Sequence, residues 1–242
     1  MIQFKGHHVK RVTSTQDRAR RLAKQGALAG TYVMADVQSR GRGRLERSWS
    51  SPRGGIYATL ILRPHLKPNG VSQLTYVAAL AVAKGLKAFL KTTPKVKWPN
   101  DVLVNRKKIA GILTQVEMNA EVEFVLIGMG INVNRQRFPK SFLHPPTSLN
   151  LETSKDHDLK TVFNRVLKEF NLYYDLFQRK GFGAIQSEWE KYSMLTDQEV
   201  TVKDFDREIR GKYKGIDEKG GLMLETSEKK IVHVYAGDLI CF

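Results

Sequence analysis

The apolar positions of this 242-residue chain change period several times, and each change predicts an element. Residues 31–37, Thr-Tyr-Val-Met-Ala-Asp-Val, alternate loosely and predict a strand. Residues 56–62, Ile-Tyr-Ala-Thr-Leu-Ile-Leu, are almost wholly apolar and rich in β-formers, the pattern of a central strand, and Arg63-Pro64 ends it. Between 71 and 90, Leu74, Val77, Ala78, Ala81, Val82, Leu86, Phe89 and Leu90 recur at helical spacing, so this stretch predicts a helix with a core-facing stripe. Val96-Lys97-Trp98 begins a strand that Pro99 interrupts. Residues 102–104 and 109–116 predict a hairpin turning at 105–108, and 122–127 predict another strand running into Gly128-Met129-Gly130-Ile131-Asn132. Successive strands over 95–132 argue for a largely antiparallel region inside a mixed sheet.

Residues 135–158, with Pro139, Pro145 and Pro146, predict a long loop. An amphipathic helix is expected over 159–177, with Val162, Phe163, Val166, Leu167, Phe170 and Tyr174 on one side, and a shorter helix over 184–195. Beyond 196 the pattern switches to short strands at 198–203, 208–216, 221–226 and 231–235, with Gly220-Gly221 as a hairpin turn. That tail is too short for an ordinary sandwich and suits a small barrel. The expected fold class is therefore α+β, a mixed sheet flanked by helices in residues 1–195 and a small C-terminal barrel in 196–242. Near the N-terminus, Ser14-Thr15-Gln16-Asp17 opens a helix with Ala19, Leu22 and Ala23 on its apolar face and Gly26 to end it. Ser14 with Asp17 approximates a capping box, so Ser14 and Thr15 either cap the helix or face a ligand.

Charge changes the picture. Lys+Arg 40 against Asp+Glu 24 gives +16. Residues 1–53 hold twelve Lys/Arg and three acids, 12 − 3 = +9, more than half of that excess. Such a field favours an anionic partner. The single cysteine, Cys241, permits no intrachain disulfide, which fits a reducing, cytoplasmic setting. No signal-peptide pattern and no apolar run of membrane-spanning length is present, so no membrane partner is expected. The six histidines (His7, His8, His65, His144, His157 and His233) lack metal-ligand spacing, and no resident metal is expected.

Three motifs carry candidate chemistry. Residues 38–55, Gln-Ser-Arg-Gly-Arg-Gly-Arg-Leu-Glu-Arg-Ser-Trp-Ser-Ser-Pro-Arg-Gly-Gly, are the densest in glycine and arginine. Glycine lets the backbone approach a ligand, and Arg40, Arg42, Arg44, Arg47 and Arg53 offer forked donors for carboxylate or phosphate. The run is either a solvated basic loop or an anion cradle. Lys97-Trp98-Pro99-Asn100-Asp101 sits at a strand break, and Lys108 enters the apolar run Ile109-Ala110-Gly111-Ile112-Leu113. Lys108 either reaches solvent at a sheet edge or meets an anion. Gly128-x-Gly130 lacks the third glycine and following helix of a dinucleotide fingerprint, and no Walker loop is present.

In this order, Gly-Arg-Gly-Arg-x-x-Arg-x-Trp at 41–49, Ser-Pro-x-Gly-Gly at 51–55, Lys-Trp-Pro-Asn-Asp at 97–101, Lys-Ile-Ala-Gly-Ile-Leu at 108–113 and Gly-Ile-Asn-Val-Asn at 130–134 resemble the biotin–protein ligase family. The resemblance spans about residues 13–242. It implies a fold like that of class II synthetases with a C-terminal SH3-like barrel, and an ATP-dependent reaction through biotinyl-5′-AMP. The acceptor it implies is a lysine of a carboxylase's biotinyl domain, also called the biotin carboxyl carrier. Biotin and ATP would be substrates, with Mg2+ riding on the phosphates.

By the same resemblance, Ser14, Thr15, Gln16, Gln38, Arg42, Gly43, Arg44 and Lys108 serve biotin. Arg44, Arg47, Trp49, Asn100, Asp101, Lys108 and Asn132 serve ATP. Arg44 and Lys108 carry catalysis. The chain departs from the family pattern at Arg40, where a small residue is usual, at Gln16, where Asn is usual, and at Thr13, where Asp is common. The motif at 14–15 begins too early for the N-terminal winged helix-turn-helix of bifunctional members, so the monofunctional class, without a specific DNA partner, is expected as a monomer or homodimer. Two competing readings are a lipoate–protein ligase, which shares the core fold, and a nucleic-acid-binding module suggested by the charge. The Gly-Arg-Gly-Arg and Lys-Trp-Pro-Asn-Asp pair argues against the first. The second is opposed by the absence of interleaved aromatics in the Gly-Arg run before Trp49 and of any recognition-module motif.

Overall fold

The apolar run over 56–62 becomes β3 (Gly55–Leu62), buried along its whole length at the middle of a seven-stranded sheet. A computed structural model describes residues 1–139, 145–204 and 207–241. Strand β2 (Thr31–Gln38) flanks β3 on one side, and β1 (Lys5–Val12) lies outside it. On the other side follow β7 (Val122–Asn132), β6 (Lys107–Met118), β5 (Asp101–Val104) and β4 (Lys95–Lys97). Only β1 and β2 pair in parallel, and the remaining neighbours are antiparallel. This is the mixed sheet expected.

Period-two alternation divides the sheet's two faces between different helices. Ile56, Ala58, Leu60 and Leu62 of β3, with Val125, Ile127, Met129 and Ile131 of β7, face the main core. That core is closed by α2 (Gln73–Lys87), α4 (Leu159–Lys180) and α5 (Phe182–Tyr192). On the opposite face, Ile61, Phe124 and Leu126 pack with Val33 beneath Ala19 and Ala23 of α1 (Thr15–Lys24). The same parity along β7 then runs on to Gly128, Gly130 and Asn132. Beyond the N-terminus of α1, therefore, this face loses its side chains and leaves room for a ligand.

Several elements differ from expectation. The sequence pattern does not predict β1, because an edge strand exposing Lys5, His8, Lys10 and Arg11 has no apolar alternation to betray it. The helix expected over 71–90 is narrower, and a 3₁₀ turn at Pro68–Gly70 precedes it. The hairpin turns at Asn105-Arg106 alone, both with positive φ (49° and 62°), so Lys108 lies within β6 rather than in the turn. The stretch expected to be a long loop holds a short helix, α3 (Leu149–Thr153), capped by Ser148 Oγ. Its residues 140–144, His144 among them, lie outside the described residues. The tail forms a separate antiparallel sheet in the order β11-β10-β9-β8-β12. Its strands are β8 (Glu199–Asp204), β9 (Arg207–Ile216), β10 (Leu222–Glu225), β11 (Ile231–Val234) and β12 (Asp238–Cys241). The last strand lies beyond those the sequence pattern predicts.

Candidate active site

A cavity of about 600 Å³ opens over the bare part of the sheet, and every residue that the family resemblance assigns to biotin or ATP lines it. Its two ends differ in chemistry.

One end is neutral and polar. Thr59 Oγ1 on β3 donates to Thr15 Oγ1 (2.9 Å), and Thr15 donates to Gln38 Oε1 through both its backbone N–H (2.8 Å) and its hydroxyl (3.0 Å). Gln38 Nε2 donates to Ser51 Oγ (2.9 Å), which donates to the Trp49 carbonyl (3.0 Å). The chain of contacts fixes the start of α1 and the strand ends without any charge. The capping reading of Ser14 is corrected here. Ser14 holds the N-cap position with extended backbone, but its side chain makes no capping bond, and its buried Oγ has no hydrogen-bond partner. Asp17 is turned to Arg42 instead (3.0 Å). Gln16 is buried, donates from Nε2 to the Leu113 carbonyl (2.9 Å), and leaves Oε1 without a partner. Buried polar atoms left without partners are costly, so these two are suited to a polar ligand.

The glycines explain the floor. A Cβ on Gly128 would lie 2.5 Å from Gln16 Nε2, and one on Gly130 would lie 2.5 Å from the Trp49 ring. Gly130 and Gly111 face each other across β7 and β6, and the Trp49 indole rests on both. Gly128-x-Gly130 is thus an in-strand clearing for side chains, not a phosphate loop.

The other end is charged. Lys108 Nζ meets Asp101 Oδ1 at 2.7 Å and lies 5.3 Å from the Trp49 ring centre. Lys108 therefore does not simply reach solvent; it faces the cavity beside a carboxylate. Asn100 is locked to β6, its Nδ2 donating to the Ile112 carbonyl (2.7 Å) while its own carbonyl accepts from Ile112 N (2.9 Å). Arg44 reaches Asn100 Oδ1 (3.4 Å), the Gly237 carbonyl (3.1 Å) and Asp238 (3.6 Å). Burial pulls the Arg44 guanidinium below its ordinary pKa, and Asp238 and Asp101 oppose the shift. Arg47 pairs with Asp238 at 2.5 Å. Gly43 N donates to the Arg47 carbonyl (2.6 Å), which folds the loop back on itself. Arg40 and Arg53 are exposed and lie outside the cavity lining. Asn132 is buried at the end of β7 with Arg135 Nη1 at 3.5 Å.

Over half of the chain, residues 8–132, matches the model of the biotin/lipoate A/B protein ligase family, and residues 196–240 match the biotin protein ligase C-terminal domain. The bifunctional ligase/repressor BirA of Bacillus spizizenii is 39% identical over 232 residues, covering 94% of this chain and 71% of that protein. The chain belongs to the biotin protein ligase family. The ligase is also 32% identical to the biotin–[acetyl-CoA-carboxylase] ligase of Paracoccus denitrificans, covering 88% of this chain and 91% of that one. Among solved structures, the Aquifex aeolicus biotin protein ligase in complex with biotin and ATP superposes with a TM-score of 0.84 at 34% identity, over 97% of each chain.

The structure adds cavity residues of the ligase that the sequence reading did not assign. Thr59 anchors the neutral end. Lys97 is 5% exposed, and burial, opposed by Asp101, lowers its pKa to about 8. Arg135 is buried at the Asn132 corner, donating to Ser50 O (3.1 Å) and lying over Phe138. Asp238 arrives from the C-terminal sheet. Lys97 had a signal, its place in the Lys-Trp-Pro-Asn-Asp motif. Asp238 had none, because the contact joins residues about two hundred positions apart. Among the described residues, no group of three or more His, Cys, Asp or Glu could hold a metal ion.

Proposed function

We propose that this ligase activates biotin with ATP as biotinyl-5′-AMP and passes the biotinyl group to a lysine on a carboxylase's biotinyl domain. The observation that carries the reading is one cavity with a neutral hydrogen-bonding end joined to a cationic end. Biotin's ureido ring is uncharged and polar, and Ser14, Thr15, Gln16 and Gln38 offer it neutral donors and acceptors. Its carboxylate and the triphosphate are anionic, and Arg42, Gly43, Arg44, Arg47, Lys97 and Lys108 gather there. Trp49, Asn100, Asp101 and Asn132 complete the nucleotide side.

In the first step a biotin carboxylate oxygen attacks the α-phosphorus and the bond to the bridging oxygen of pyrophosphate breaks. Negative charge grows on the phosphoryl oxygens. Lys108, held on a strand, and Arg44 stabilise it without reorganising. In the second step the acceptor's neutral amine attacks the acyl carbon, AMP leaves with the electron pair of the anhydride C–O bond, and the amine loses a proton. Holding acid anhydride and nucleophile together supplies much of the remaining rate. Mg2+ enters as part of Mg-ATP. The cavity's carboxylates, Asp101 and Asp238, are already paired with cations, so among the described residues they do not form a metal cage. We place the boundary between the catalytic part and the C-terminal barrel near Leu195, and the reaction in the cytoplasm.

The test is incubation of the purified ligase with biotin, Mg-ATP and a biotinyl domain, followed by mass spectrometry of the acceptor. A gain of one biotinyl group on a single lysine is expected, with none when lipoate replaces biotin. An unmodified acceptor, or lipoylation instead, refutes the reading.

A further inference from the structure

The C-terminal sheet touches the cavity at Asp238 and Leu239 and is fastened elsewhere. Its fastening is the turn Asp217–Gly221, between β9 and β10, whose carbonyls face the catalytic part. Glu218 O accepts from Gln73 Nε2 (2.8 Å) and Lys219 O from Ser72 Oγ (3.4 Å). Gly220 O accepts from both the Tyr76 hydroxyl and Trp98 Nε1 (3.2 Å for the latter). Tyr76 and Trp98 are buried, and Tyr76 also packs edge-on against Trp189 (4.5 Å between ring centres). Asp217 holds the turn in shape. Its Oδ1 accepts from Lys219 N (2.9 Å) and Gly221 N (2.7 Å), while Oδ2 meets His233 Nδ1 (2.7 Å) and accepts from Tyr235 OH (2.8 Å).

We infer that this turn is the joint that sets how Asp238 meets the loop arginines, and that Tyr76 and Asp217 are positioning residues for the nucleotide half of the reaction. The inference rests on the reading proposed above. Arg44 and Arg47 come from a glycine-flanked loop, and Asp238 bridges both. Where Asp238 stands depends on how the sheet docks. A second attachment on α5 keeps the sheet in place, since Glu190 accepts from Tyr213 OH (2.9 Å) and Ile216 N (3.1 Å). Loosening the turn therefore tilts the sheet rather than releasing it. Trp98 carries the same restraint into the cavity wall, because Asn100 and Asp101 follow it two and three residues on. Arginines that are not pre-ordered by Asp238 must be ordered by ATP, and the cost falls on ATP affinity.

The test uses Tyr76→Phe and Asp217→Asn in the full chain, each checked for a native melting curve. Adenylate formation is measured against ATP concentration, and biotin affinity is measured without nucleotide. We expect KM for ATP to rise roughly 5- to 10-fold, the worth of one hydrogen bond, with biotin affinity retained. In an Asp238→Asn background the same substitutions should add little, because both act through one contact. The inference is overturned if KM for ATP is unchanged in both variants, if biotin affinity falls in parallel, or if the effects add fully to Asp238→Asn. Wild-type enzyme that makes no adenylate would instead refute the proposed function, so the two failures are distinct.

Discussion

Gly128→Ala offers a test of the neutral end at a single atom. The new Cβ would stand 2.5 Å from Gln16 Nε2 and 3.2 Å from the Leu113 carbonyl. Ordinary contact begins near 3.4 Å, so the Gln16 amide must withdraw by about an ångström. Withdrawal breaks its 2.9 Å bond to Leu113 O, a loss of about 0.5–1.5 kcal/mol. Forcing the buried side chain off its rotamer costs a further ~0.5–1.5 kcal/mol. If Gln16 Oε1 is the acceptor that meets biotin, the sum of about 1–3 kcal/mol is about 5- to 150-fold in affinity. The flexible amide can yield, so the expectation is roughly tenfold. Calorimetric titration with biotin, without nucleotide, measures it directly. Gln16→Ala removes the group that clashes, so adding Gly128→Ala to it should change little. Unchanged affinity in a folded Gly128→Ala protein would refute the reasoning. So would an equal loss in the Gln16→Ala background, which would route the effect through Leu113 instead.

Arg44→Gly should release more biotinyl-AMP per adenylate made than wild type, because a loop residue retains the intermediate, and biotinylation of an added bystander protein reads it. Lys108→Ala should slow adenylation by roughly 10²–10³-fold, the cost of one preorganised donor, without raising that leak; single-turnover kinetics separate the two. The burial-lowered pKa of Lys97, about 8, gives a pH prediction with a definite sign. Its ammonium is present below that value and lost above it, so KM for ATP should rise as pH passes through about 8, and the rise should flatten in Lys97→Met. The same shift makes the unfolded chain bind more protons between the folded pKa and the ordinary lysine range. Lys97's contribution to stability should therefore grow with pH across that window, as denaturant titrations at several pH values would show. Finally, kcat/KM for an acidic acceptor should fall with added salt more steeply than the adenylation rate, since about 1 M salt shortens screening to roughly 3 Å; equal slopes would remove the steering argument.

Much of the catalytic part was legible because burial leaves a periodic trace. β3 reads as an unbroken apolar run because it is covered on both faces, and α2 and α4 show their stripes for the same reason. The candidate residues were legible through motif order, not through periodicity. What stayed hidden has physical causes. β1 pairs in parallel at an exposed edge, where hydrogen bonds rather than buried side chains hold the strand. The role of Ser14 could not be settled, because a capping hydroxyl and a free hydroxyl have the same sequence. Only the absent bond to the helix backbone distinguishes them.

The glycines of β7 show most plainly why sequence and structure give different readings of one motif. As a string, Gly128-x-Gly130 resembles a weak nucleotide fingerprint. In the sheet, the spacing of two is the strand period, so both glycines open one face, directly beyond the apolar pair Phe124 and Leu126 under α1. The clearing admits Gln16 at one step and Trp49 at the next. Gln16 belongs to the neutral end, and Trp49 lies beside Lys108 in the charged end. The two halves of the cavity are therefore set one strand repeat apart on the same rigid floor. The repeat per residue is about 3.3 Å, so one step of two residues spans roughly 7 Å. That short separation on one strand suits a ligand whose neutral ring is held at one end while its carboxylate meets a phosphorus held by the charged end. It predicts that Gly130→Ala, which drives a methyl into the Trp49 ring, should impair ATP use far more than biotin binding, the reverse of Gly128→Ala. Parallel measurement of the two affinities decides it: the same loss for both ligands in both variants would mean that the floor is one undivided site.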